Sequence, residues 1–218
     1  MAEDPSADRG AVVATIVPAP RHIARFVLAT LAWSFVSFPL WFVASPAISA
    51  ATGWIAARAL EAVGPVDGAR TRLHENRVVF EVQPDASLRY RERLSAAMTF
   101  EIEVYPRKQT VGLAFLAALV AAARPSRWWR LFAGCGALLV LAGIGVACEA
   151  ALGFSTVVTP AGAPLFRPGG AAASALALGY QLGTLLVPTL APIAFWLWAR
   201  AGAAPEKTPP RRNPPIDA

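Results

Sequence analysis

The chain has 218 residues, 56% of them hydrophobic and 16% charged, with a formal net charge of +6 at pH 7. So low a charged fraction is a poor match for an ordinary soluble surface. The basic balance would attract nucleic acid, but many of the arginines flank apolar runs, where they answer to topology and lipid headgroups, so nucleic-acid binding is set aside.

Two runs decide the fold class. Phe26 to Ala57 gives 32 residues without a charge, and Ala171 to Ala199 gives 29. Crossing a bilayer takes roughly 20 apolar residues, so both are long enough. The chain reads as an α-helical integral membrane protein of about four transmembrane helices.

Residues 1–22 read as a loose cytoplasmic segment. The first helix, with an interfacial extension, is placed at 23–63. It follows Arg21 and His22 and carries Trp33 and Trp41, with Trp54 and Arg58 near the headgroups. Pro39 and Pro46 each remove a backbone donor, which predicts kinks or a break. The small residues of "SPAISA" also fit a signal-peptide cleavage site, but the apolar stretch before them exceeds the usual signal core, which favours an uncleaved anchor.

Residues 64–108 form the extracytoplasmic segment, predicted as a β-hairpin between spans 1 and 2. In "NRVVFEVQ" Val78, Phe80 and Val82 share one face. In "AMTFEIEVY" Met98, Phe100, Ile102 and Val104 do, with Thr99, Glu101 and Glu103 opposite. Such period-two alternation marks a half-buried strand. A lone hairpin is marginal in water, so its apolar face needs a cover: the membrane surface, the preceding helix or a partner.

The second span is placed at 109–123. Fifteen helical residues rise only about 22 Å, so spanning relies on Arg107, Lys108 and Arg124 snorkelling to the headgroups. The third is at 131–152 and holds one charge, Glu149, read as a solvated interfacial carboxylate. An external loop follows at 153–170, then the fourth span at 171–199 and a proline-rich tail at 200–218, predicted to be disordered. Arg9, Arg21 and Arg25, then Arg124, Arg127 and Arg130, then Arg200, Lys207, Arg211 and Arg212 form three basic clusters, against Arg167 alone in the external loop. Four spans with both termini in the cytoplasm put every cluster inside.

The chemistry-bearing residues are few. Cys135 and Cys148 stand thirteen residues apart on the third span, about 220° and 20 Å from each other, beyond disulfide reach and in no metal spacing. His22 and His74 lie outside the span centres, and no nucleophile, zinc or phosphate-loop motif is present. No cofactor or metal is expected, nor catalysis.

Packing is the stronger signal. Ala175, Gly179 and Gly183 recur every fourth residue, a small-residue face that lets backbones approach closely in lipid. Tyr180 and Thr184 form a second row with Gln181 beside them. Pro188 and Pro192 free the carbonyls of Thr184 and Pro188, which neighbours must satisfy. The face serves either packing within this chain or a partner helix.

"ALALGYQLGTLLVPTLAPIAFWLW", residues 175 to 198, resembles the closing segment of the exosortase H-associated membrane proteins. "EVYPRKQTVGLAFLAAL", residues 103 to 119, is similar to that family's entry into an apolar run, departing from it at Tyr105 and at Arg107, Lys108 and Gln109. The resemblance implies a small bacterial protein found alongside an exosortase, the membrane enzyme that processes proteins with a C-terminal sorting signal. It supplies no activity and no catalytic residues. The expectation is a non-catalytic accessory in the bacterial inner membrane, whose partners are the lipid bilayer and an exosortase or its sorted substrate. The alternatives are an intramembrane thiol enzyme using Cys135 or Cys148, and a transporter or channel subunit.

Overall fold

The computed structural model describes residues 20–63, 66–74, 76–86, 89–90, 94–95, 98–123, 129–159, 162 and 164–201. The loose N-terminal segment and the disordered tail fall outside these, apart from Pro20–His22 and Arg200–Ala201, as do Arg124 and Arg127. In chain order come α1 (Pro20–Val63), β1 (Val66–His74), β2 (Arg77–Pro84), β3 (Phe100–Val104), α2 (Arg107–Ala123) and α3 (Trp129–Thr156). Then follow α4 (Gly170–Gln181), a π-helical turn (Leu182–Leu186) and α5 (Val187–Ala201). Among the described residues, three helices are long and apolar enough to cross a membrane: His22–Ala62, Trp129–Thr156 and Gly170–Arg200.

α1 is one helix of 44 residues, about 66 Å long, with Pro39 and Pro46 inside it. The break that the prolines predict does not occur. Both lie on exposed positions, so their rings face away from the packed side. That side is built from Ser45, Ser49, Gly53 and Ala57, spaced by four and buried. The small residues of "SPAISA" thus belong to a packing stripe. Gly53 brings the helix against β2, where an added Cβ would meet Val78 Cγ1 at 2.8 Å.

The sheet is antiparallel, in the order β1-β2-β3, so a third strand joins the two of the predicted hairpin. β1, "VDGARTRLH", escapes a hydrophobic pattern because its inward positions beside Val82, Phe80 and Val78 are Ala69, Thr71 and Leu73. Asn76 turns the chain into β2 at φ 67°, a left-handed conformation that asparagine tolerates. Met98 lies before β3 rather than on its inner face, in a turn where its amide donates to the Ser95 carbonyl (3.0 Å). The inner face of Val78, Phe80, Val82 and Val104 is buried against α1 and the last turns of α3. The preceding helix is therefore one of its covers, and Ala147, Ala150, Ala151 and Phe154 supply the other. α3 runs past the predicted Leu152 boundary to Thr156 and so reaches this core. The opposite face carries cross-strand ion pairs, Arg72–Glu81 (3.0 Å) and Arg77–Glu103 (2.9 Å).

α2 is the enclosed element. None of its residues from Gln109 to Ala123 is exposed. Thr110, Gly112, Ala114 and Ala118 are small enough for α1, α3 and α5 to close around it. A second core, Leu116, Val120 and Leu138 with Val187, Ala191 and Phe195 against it, lies away from the sheet.

Candidate functional site

The predicted small-residue face divides. Gly183 sits directly on α3, where an added Cβ would lie 2.7 Å from Gly145 Cα. One at Gly179 would lie 2.6 Å from Cys148 Sγ. Both glycines are engaged within the chain. Ala175, one turn earlier, is exposed. Pro188 and Pro192 are buried on Gly112 of α2, where an added Cβ would come within 2.9 Å of Pro188 Cα and its carbonyl oxygen.

The π-helical turn explains how the chain meets Pro188. Proline cannot donate to the Thr184 carbonyl, and the preceding turn winds wider, with the Val187 amide donating to the Leu182 carbonyl. The hydroxyls of Thr184 and Thr189 bond the carbonyls of Tyr180 (2.8 Å) and Leu185 (2.6 Å), not those that the prolines free. Gln181 is exposed and takes no part in the seam.

At the entry to α2 the structure assembles a polar junction that the sequence reading did not foresee. Lys108 donates to Glu149 Oε1 (2.5 Å) and Gln109 to Glu149 Oε2 (2.7 Å). Lys108 also lies 5.4 Å from the Tyr180 ring centroid. Arg107 donates twice to Ser45 Oγ (3.2 and 3.0 Å) and stacks over Phe42 at 4.5 Å. Ser45 in turn donates to Asn76 Oδ1 at the β1–β2 turn (3.5 Å). Glu149 is thus held by protein groups rather than simply solvated, and Arg107 and Lys108 both make contacts within the chain. Gln109 is 2% exposed, and its Oε1 has no hydrogen-bond partner. The Lys108–Glu149 pair is part-exposed, so the buried member of the junction is Gln109, whose amide nitrogen is satisfied by Glu149. The signals were the lone acid in the third span and the run of four polar residues, Arg107 to Thr110, opening a short apolar helix.

At the other end of the helices sits an aromatic and arginine cluster. Phe26 stacks on Trp196 (5.2 Å), Trp129 meets Trp198 edge-on (5.8 Å), and Arg130 donates to the carbonyls of Trp198 (3.3 Å) and Ala199 (3.0 Å). Tryptophan and arginine are residues of the bilayer interface.

Cys135 and Cys148 are free and half-buried, Cys135 beside the α2–α5 core and Cys148 against Gly179.

A family described as exosortase H-associated membrane protein matches residues 20–202. The chain belongs to this family. The match runs from the first residue of α1 to one residue beyond α5, so it takes in the sheet, the polar junction and the glycine seam together. Membership makes the chain a membrane protein associated by family with an exosortase system. No curated protein and no solved structure matches the chain.

Proposed function

We propose that this protein is a non-catalytic inner-membrane accessory of a bacterial exosortase-type sorting system, threaded four times with both termini in the cytoplasm. The family match carries the exosortase association. Four threads are supported by lengths measured between the polar junction and the aromatic cluster. Ile23–Ser45 rises about 33 Å, Arg107–Ala123 about 24 Å, Arg130–Glu149 about 28 Å and Tyr180–Arg200 about 30 Å. Three of the four come within about 3 Å of the roughly 30 Å hydrocarbon core, and Arg107–Ala123 falls about 6 Å short of it. α2 is the shortest, and it is the one that its neighbours screen from lipid.

Because Gly179 and Gly183 are already engaged by α3, the partner-facing surface moves to the opposite side of the last helix. Leu178, Leu182, Leu185, Leu186, Leu190 and Ile193 are exposed there. A photo-crosslinker at position 182 or 190, in native membranes, should capture the exosortase or its substrate, while a diazirine analogue of leucine at the buried position 138 labels only this chain. Absence of any intermolecular product from 182 and 190, together with no exosortase retained on purification in mild detergent, overturns the accessory reading. Replacing both cysteines by alanine is expected to leave sorting unchanged, and a loss of sorting with normal protein levels would favour the thiol-enzyme alternative.

A further inference from the structure

A cavity of about 460 Å³ lies between the far end of α1, the sheet and the α3–α4 pair. Its floor is Ile144, Ala147, Cys148 and Ala151 of α3, and Ala172, Ala175 and Leu176 of α4 form one wall. Every residue lining it has an apolar side chain or, at Cys148, a thiol. A polar ligand buried there would lose its water and gain nothing in return, so the occupant is hydrocarbon.

Dimensions choose among hydrocarbons. From Ile144 to Phe154 the cavity follows α3 for about 15 Å. The 460 Å³ is the space open to the centres of water molecules, about 6 Å wide over that length, or about 9 Å from wall to wall with a water radius of about 1.4 Å added on each side. A helix with its side chains is about 10–12 Å across and is too wide for it. One extended acyl chain fits.

Position supplies the source. Ile144 is 46% exposed and stands on the bilayer side of Glu149, while the other end is closed by Leu165 and Phe166 beneath the sheet. Ala172 and Ala175 are exposed along the open side. Arg167, exposed between the lining residues Phe166 and Pro168, sets a cation at the outer rim. We infer that this cavity holds one acyl chain of a bilayer phospholipid, with the phosphate at Arg167. The inference rests on the membrane placement proposed above, but not on any exosortase contact.

The test uses the full chain in phosphatidylcholine vesicles containing phosphatidylglycerol with a diazirine on one acyl chain. Photolabel should concentrate on the α3 and α4 peptides that hold residues 144–151 and 172–176. Ala175→Trp, which fills the open side, should lower that labelling about tenfold, and Ala172→Phe should act alike if the first variant misfolds. Arg167→Ala should weaken labelling by the phospholipid but not by a diazirine-bearing diacylglycerol, which has no phosphate. Equal labelling of the wild type and a folded Ala175→Trp variant overturns the proposal, as does label spread over the leucine face of α4 and α5. Crosslinks from position 182 to the exosortase are unaffected by either result, so the two readings fail separately.

Discussion

Replacing Gly183 by alanine puts a methyl group where no side chain can retreat. The added Cβ would stand 2.7 Å from Gly145 Cα, whereas ordinary contact begins at 3.4 Å, so the two backbones must part by about 0.7 Å. Overpacking of this kind costs about 1–3 kcal/mol, offset by up to about 1 kcal/mol of helix propensity gained on leaving glycine. A net loss of about 1–2 kcal/mol is expected for Gly183→Ala. Gly179→Ala differs, because its obstacle is Cys148 Sγ at 2.6 Å, with Cys148 Cβ a comfortable 3.6 Å away. The double variant with Cys148→Ala should therefore recover most of the loss, a coupling of about 1 kcal/mol or more. Gly136→Ala, with nothing within 4 Å, is the control for propensity alone and should gain up to about 1 kcal/mol. Thermal unfolding of purified protein in mild detergent, followed by loss of the monodisperse species, reads all four. The seam is refuted if Gly183→Ala is as stable as Gly136→Ala, or if Cys148→Ala fails to rescue Gly179→Ala.

Glu149→Leu should destabilise by about 1–3 kcal/mol, chiefly because it leaves the buried Gln109 amide without its acceptor, and adding Gln109→Leu should restore part of it in the same thermal assay. Phe80→Ala, at 0% exposure, should cost about 3–5 kcal/mol and loosen the sheet, seen as faster proteolysis within β1–β3. Single cysteines placed at position 76 and after Trp198, in a cysteine-free chain, should react with a membrane-impermeant reagent in spheroplasts at the first site only. Labelling at both, or only at the second, contradicts the four-span topology.

Hydropathy made the long helices legible, and alternation made β2 and β3 legible, because lipid demands an unbroken apolar run and a half-buried sheet imposes a period of two. β1 was hidden because its inward positions are alanine, threonine and leucine between charges, a weak signal without β2 to pair with. The packing row from Ser45 to Ala57 is hard to see in the sequence, since small residues such as those of "SPAISA" suit a peptidase and a neighbouring helix alike. The glycines of the last helix were visible, but a one-dimensional pattern does not say which helix they meet, and Gly145 answers that only in three dimensions. The junction of Lys108, Gln109 and Glu149 joins positions 40 and 41 residues apart, a pairing that no local spacing encodes.

The continuity of α1 makes it a lever. Past Ser45 the helix carries on through Pro46–Val63 for about 27 Å, fastened along that overhang to the sheet. Helices in bilayers commonly tilt by about 20°, and a change of only about 10° swings the far end of such an arm by roughly 5 Å. A tilt of the apolar half of α1 would be carried along the helix to the sheet and opposed there by Ala147, Ala150, Ala151 and Phe154 of α3, which grip the same face.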